Sequence, residues 1–322
     1  MNERIKLLIG YDGSESADAA VEDIQRAGLP RDTEAIVFAV ADVWFYPPPA
    51  DPTLPAPSSP LDHQILSRAE EMRARATQAL IDSDDVARQG AAQLRALFPS
   101  WEIDVETTIN WPSWGIITKA EEWGADLVVV GCGKHSIIER LQIGSTSTKV
   151  LSACRCSVRV GRRLTTPANS SVRIVIGMDG SPDAELAVKA VARRVWPAGS
   201  EARLITVLDT RLAHAVASLI PRLARWSGGG ELVQKDDAWL QRMITAATQK
   251  LQSAGLAVST TTPEGDPREI LVEAASSWKA DCIFLGARGL SGIERFLIGS
   301  VSSSVATAAG CSVEVVRSVP DH

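Results

Sequence analysis

Gly286-Ala287-Arg288-Gly289 is followed, after nine further residues, by Gly299-Ser300 and then Val301-Ser302. Glycines at this spacing let a backbone bend tightly and aim several N–H groups at one point with no Cβ in the way. Arg288 supplies a cation beside them. Gly299 and Ser300 open a helical run, so the unbonded N–H groups of a first turn and the positive end of the dipole face the same space. Hydroxyls of Ser300 and Ser302 can add hydrogen bonds. Together these are the requirements of a phosphate site. Upstream, Asp179 in Asp179-Gly180-Ser181 ends a strand-like run, where its carboxylate can accept from ribose hydroxyls. A plainer role, anchoring the turn into the next helix, uses the same residue types.

Other reactive residues are less productive. Cys154 and Cys156 form a C-x-C pair without a second pair at zinc-type spacing, so packing is the expected role and no metal site is expected. The four histidines share no spacing. No nucleophile stands with a matching base, so efficient catalysis is not expected; slow magnesium-dependent hydrolysis or phosphotransfer in the same pocket is the alternative, and a non-catalytic scaffold is another.

The elements that must position these residues are repeated. Asp12-Gly13-Ser14 recurs 167 residues on as Asp179-Gly180-Ser181. With an offset of 155, residues 125–131 recur as 280–286, Gly144-Ser145 as Gly299-Ser300, and Cys156-Ser157-Val158 as Cys311-Ser312-Val313. The first copy therefore carries extra residues between its first and fourth strands, and the proline-rich stretch 45–60 is the expected loop. Ser227-Gly228-Gly229-Gly230 reads as a loop in the second copy.

In that copy, strand-like runs at 173–177, 202–208, 257–261, 282–286 and 313–316 alternate with helical stretches at 182–195, 236–254, 267–278 and 300–309. Fully apolar runs with right-handed crossovers predict a doubly wound, five-stranded parallel sheet in each copy, of Rossmann-like type. The expected domains are 1–161 and 172–318, with a linker at 161–171. Ligands of such folds sit where the loops after strands one and four face each other.

Composition narrows the class. With 33 Lys and Arg against 39 Asp and Glu, and a net charge of −6, the chain has no basic stripe for nucleic acid. No apolar run is long enough for a membrane span. Residues 1–6 enter a strand directly with no apolar leader, and the five cysteines form no disulfide ladder; both point to the cytoplasm.

The motifs resemble those of the universal stress protein family, in its tandem form with two domains per chain. ATP-binding members carry Gly-x-x-Gly, nine residues, then Gly-Ser or Gly-Thr, and Gly286, Gly289, Gly299 and Ser300 fill each position. The resemblance implies a fold of the adenine nucleotide alpha hydrolase type and ATP as the ligand, with magnesium belonging to the hydrolytic alternative. It also implies that Asp179 lies at the ribose, Val207 beside adenine and Gly265 at the base-side turn, and that the protein is a stress-adaptation regulator with an unidentified protein partner. In the first copy Asp12, Gly131, Gly144 and Ser145 remain, but Lys134 replaces the second glycine and Asn110-Trp111-Pro112 replaces Gly265-Asp266-Pro267, with Trp111 expected to fill space. Nucleotide binding by that copy stays open. Residues 157–160 and 312–316 are open-edge strands, which in this family join domains, so the copies are expected to pair within the chain, and two chains can associate again.

Overall fold

Uninterrupted apolar runs such as Leu127–Gly131 and Cys282–Gly286 have no polar face to offer water, so both of their sides must be covered. The computed structural model describes residues 4–43, 47, 59–133, 143–163, 166–167, 170–208, 231–289 and 298–318, with the backbone alone for 231–238. The first half runs β1 (Ile5–Gly10), α1 (Glu15–Asp23), β2 (Thr33–Ala41), α2 (Pro60–Leu97), β3 (Glu102–Ile109), α3 (Pro112–Trp123), β4 (Leu127–Gly131), α4 (Ser145–Ala153) and β5 (Ser157–Gly161). The second runs β6 (Arg173–Gly177), α5 (Pro182–Ala192), β7 (Glu201–Ile205), α6 (Glu231–Ser253), β8 (Ala257–Thr261), α7 (Pro267–Ser277), β9 (Cys282–Gly286), α8 (Ser300–Ala308) and β10 (Ser312–Val316).

All ten strands form one sheet in the order β3-β2-β1-β4-β5-β10-β9-β6-β7-β8. Within each half every pairing is parallel, and the halves meet where β5 and β10 pair antiparallel. Each half is the doubly wound sheet that the strand pattern predicts. The edge strands pair with each other as expected, which removes two open edges. The first strand of each half lies between the second and the fourth, and this creates the switch points at β1/β4 and β6/β9.

One apolar layer runs under α3, α4, α7 and α8 across both halves, including Leu8, Val128, Val158, Ile283, Val305 and Val313. On the opposite face the cores are separate, one around Leu7, Ile9, Ala91 and Leu94, the other around Ile174, Val188, Leu251 and Phe284. A pseudo-twofold axis normal to the sheet puts equivalent faces of the halves on the same side; Val158, Val160, Val313 and Val315 join one face across the seam, while the alternate residues Arg159 and Glu314 divide the other.

Several bounds differ from the sequence reading. Pro60 begins α2 instead of closing a loop, because Ser59 and Asp62 form a capping box and proline suits a first helical position. Residues 44–46, 48–58 and 227–230 lie outside the described residues. The first helix of the second half, α5, expected to 195, ends at Ala192, and β7, expected to 208, ends at Ile205, after which Leu208 makes only an isolated bridge to Glu264. The helix expected to begin at 236 begins at Glu231. No helix among the described residues is long and apolar enough to cross a membrane.

Candidate nucleotide cleft

At the end of β6 the chain turns through Gly180, at φ +80°, where a left-handed backbone favours glycine. Asp179 Oδ1 accepts the Ser181 N–H at 2.9 Å, and Ser181 Oγ caps α5 by accepting from Ala184 N at 3.1 Å. Ser181 Oγ also donates to the Arg288 carbonyl at 3.0 Å, tying the loop after β6 to the loop after β9. The second loop is pinched at its base, where Gly299 N donates to the Ala287 carbonyl at 2.7 Å. Gly299 offers no side chain to cap α8, and the first intrahelical bond is Ser303 N to the Gly299 carbonyl. The N–H groups of Ser300, Val301 and Ser302 therefore have no intrahelical acceptor, as an anion-binding helix start requires.

Gly289 completes the convergence. A Cβ built there would lie 2.6 Å from Asp179 Oδ2, so the carboxylate and the glycine backbone stand against each other with no room for a side chain. At the other end of the cleft, Val207 is half-buried against the shared core. Gly265 N donates to the Leu208 carbonyl at 3.0 Å, and its φ of +142° is a conformation that only glycine adopts readily.

Three sequence-based roles change. Gly286 is needed for a helix crossing, since a Cβ there would lie 2.4 Å from the Asp183 carbonyl carbon and 2.6 Å from Ala184 N. Arg288 is no open cation. Its Nε and Nη2 hold Asp183 Oδ2 and Oδ1 at 2.9 and 3.1 Å, and its backbone N donates to the same carboxylate at 3.1 Å. That bonding raises the guanidinium pKa, burial opposing it. Ser302 is buried, and its hydroxyl donates to the Gly286 carbonyl at 2.7 Å, which leaves its backbone N–H as the group to offer. The sequence reading missed Asp183. The signal was present in the repeat, because Asp183 and Arg288 are replaced together, by Ser16 and Gly133.

A model of the "Universal stress protein family" matches residues 4–162 and again residues 172–317. The chain belongs to the universal stress protein family. Over 79 residues it is 37% identical to universal stress protein Sll1388 of Synechocystis, a match spanning 24% of this chain and 49% of that protein. It is 27% identical over 146 residues to a putative universal stress protein of Staphylococcus aureus strain USA300, covering 45% of this chain and 82% of the relative. The crystal structure of a universal stress protein from Archaeoglobus fulgidus aligns over 97% of this chain and 98% of its own, with a TM-score of 0.61 at 19% identity, a likeness of fold.

In this universal stress protein chain the first cleft keeps the backbone plan of the second. Asp12 Oδ1 accepts from Ser14 N at 3.0 Å, Gly144 N donates to the Cys132 carbonyl at 2.7 Å, and Ser147 Oγ donates to the Gly131 carbonyl at 2.6 Å. Gly144 leaves α4 without a side-chain cap, so Ser145 opens a helix start of the same kind. The Gly133 N–H donates to Ser16 Oγ at 2.9 Å where Arg288 meets Asp183. Asn110 N donates to the Ala41 carbonyl at 3.2 Å, as Gly265 N does to Leu208. Trp111 does not fill space; it is 64% exposed, since it precedes α3 at the surface. Lys134 lies outside the described residues.

The Cys154 and Cys156 sulfurs lie 3.8 Å apart, buried in the shared core. Hydrogen bonding from Cys156 lowers the Cys154 thiol pKa, while the same contact and burial raise that of Cys156. Among the described residues no cluster of three or more His, Cys, Asp or Glu side chains is placed to hold a metal ion.

Proposed function

We propose that the second cleft binds ATP, with magnesium, and that the chain is a nucleotide-responsive regulator in stress adaptation that works through a protein partner in the cytoplasm. The observation that carries this reading is the convergence of Asp179, the side-chain-free Gly289 and the uncapped start of α8 on one switch point. A ribose hydroxyl suits the carboxylate, and phosphate suits the N–H groups of Ser300 to Ser302. The donor set fits the ligand, although Arg288 supports the loop through Asp183 and leaves the phosphate to backbone groups. Val207 and Gly265 would flank the base.

Asp12, Gly131, Gly144 and Ser145 give the first cleft the same plan, and the nucleotide stoichiometry decides whether it holds a second nucleotide. Regulation would follow if bound nucleotide altered the surface that the rim of this cleft offers to the partner. The test is release and identification of nucleotide from purified protein, beside Gly289→Lys and Asp179→Ala. Stoichiometric adenine nucleotide lost in both variants supports the second site. Retention of half of a two-fold stoichiometry adds the first. No nucleotide in any sample, even after addition of ATP and magnesium, would sink the proposal.

A further inference from the structure

The seam between the halves is nearly symmetric. Val160 opposes Val313 and Val158 opposes Val315, placing a pseudo-twofold axis through the pair between them, Arg159 and Glu314. Flanking contacts obey the axis. Arg162 NH groups reach the Cys311 and Ala306 carbonyls at 3.1 and 2.9 Å, and Arg317 reaches the equivalent Cys156 and Leu151 carbonyls at 3.5 and 2.6 Å. Arg162 N and Arg317 N donate to Ser312 Oγ and Ser157 Oγ.

Symmetry breaks at the axis itself. Arg159 and Glu314 are equivalent residues of opposite charge, 3.3 Å apart and fully buried. Asp23 holds Arg159 from the first half at 2.7 and 3.1 Å, and Arg194 holds Glu314 from the second, with Nη1 at 2.9 Å from Oε2. The result is a row of alternating sign, Asp23, Arg159, Glu314, Arg194, in which each half contributes a balanced pair. Two first halves meeting through β5 would bring Arg159 against Arg159. Two second halves would bring Glu314 against Glu314. Like charges directly opposed in a buried strand pair are strongly unfavourable.

We propose that this row selects the seam's partner: β5 accepts only a second-half β10, and β10 only a first-half β5, so that like halves of two copies do not join. A symmetric universal stress domain has no such preference, whereas a chain carrying two unlike halves needs one to close on itself rather than chain into open assemblies. Arg159 stays charged in its buried position. Burial pulls its pKa down, but Asp23 and Glu314 outweigh that and raise it.

The experiment uses cysteine reporters in the full-length chain. Val160→Cys with Val313→Cys reports a β5–β10 seam; Val158→Cys with Val160→Cys cross-links two chains only when β5 meets β5. Each is oxidised after expression and read by non-reducing gel and peptide mass spectrometry, in the natural charge background and with Asp23→Leu, Arg159→Met, Glu314→Met and Arg194→Met together. An apolar row keeps the core filled but carries no sign. In the natural background, an intrachain bond for the first reporter and no interchain dimer for the second are expected. In the apolar background, the β5–β5 dimer is expected to become a major band. Such a dimer in the natural background overturns the proposal, as does its continued absence in the apolar background while the β5–β10 bond still forms. If the four-fold variant does not fold, the neutral polar row Asp23→Asn, Arg159→Gln, Glu314→Gln and Arg194→Gln carries the same reporters, and the same bands support or overturn the proposal.

Discussion

A Cβ at Gly289 would lie 2.6 Å from Asp179 Oδ2, closer than a real Cβ is ever found to an oxygen. The carboxylate cannot retreat freely, because its other oxygen accepts the Ser181 N–H that shapes the turn into α5. Gly289→Ala is therefore expected to push Asp179 from its place and to weaken adenine nucleotide binding by at least about tenfold, roughly 1.4 kcal/mol. Titration calorimetry of Gly289→Ala beside the unaltered chain is the check. Unchanged affinity would separate Asp179 from the ligand.

The base-side turns of the two halves have exchanged residues. In the second, Gly265 leaves room for Ile270, whose Cδ1 would lie 3.0 Å from a Cβ at 265. In the first, the helix residue is Gly115 and the turn residue Asn110, with a Cβ at 115 falling 3.3 Å from the Asn110 Cβ and 3.0 Å from Val40. Gly115→Ile alone is expected to overpack the site and cost about 1–3 kcal/mol. Adding Asn110→Gly should recover part of that loss, a coupling of about 0.5–3 kcal/mol readable from denaturant unfolding of the four proteins. Additive losses would mean that the exchange is accidental.

These exchanges mark the limit of what the sequence conveys. The doubly wound sheets and their two switch points were legible because fully apolar five-residue runs such as Leu127–Gly131 and Cys282–Gly286 admit few placements and the repeat gave each twice, whereas the β5–β10 seam was expected from open-edge strands and the family resemblance. The convergence of Gly289, Gly299 and Asp179 was legible from glycine spacing together with the switch-point rule of doubly wound sheets. The duties of Gly286 and Arg288 were not, since both depend on how α5 crosses β9, a contact between segments about a hundred residues apart. Pro60 was misread because proline ends one helix and begins another, and only the Ser59 and Asp62 bonds distinguish the two. The exposure of Trp111 follows from its place before α3 at the surface, which aromatic composition does not carry.

The contact between Arg288 and Asp183 stands where Gly133 and Ser16 stand in the first half, which suggests a transplant. Asp183→Ser alone leaves a guanidinium whose side chain is 30% exposed, so water takes over much of its solvation and a loss of about 0.5–1.5 kcal/mol is expected. Asp183→Ser with Arg288→Gly should restore the first-half arrangement, with a serine hydroxyl accepting the backbone N–H of residue 288. Thermal unfolding should then place the double variant above the single one. Equal or lower stability of the double variant would show that the guanidinium has a further duty.

Cys282, fully buried on β9, gives a prediction about pH. Burial pushes its thiol well above the ordinary value of 9.0, and the nearby Arg159 only partly offsets that. In the unfolded chain the thiol ionises near 9.0, while in the native chain it keeps its proton, so over the alkaline range the native state binds more protons. Stability attached to this group is therefore fully present below pH 9 and falls as pH rises above it, by up to about 1.4 kcal/mol per pH unit for one proton. Urea unfolding of the unaltered chain and of Cys282→Ala between neutral and strongly alkaline pH isolates this contribution: the variant is the less stable near neutral pH because of the cavity, but has a shallower alkaline slope. Parallel slopes would mean that the native thiol ionises as readily as an exposed one, and that the strand around it opens to water before the chain unfolds.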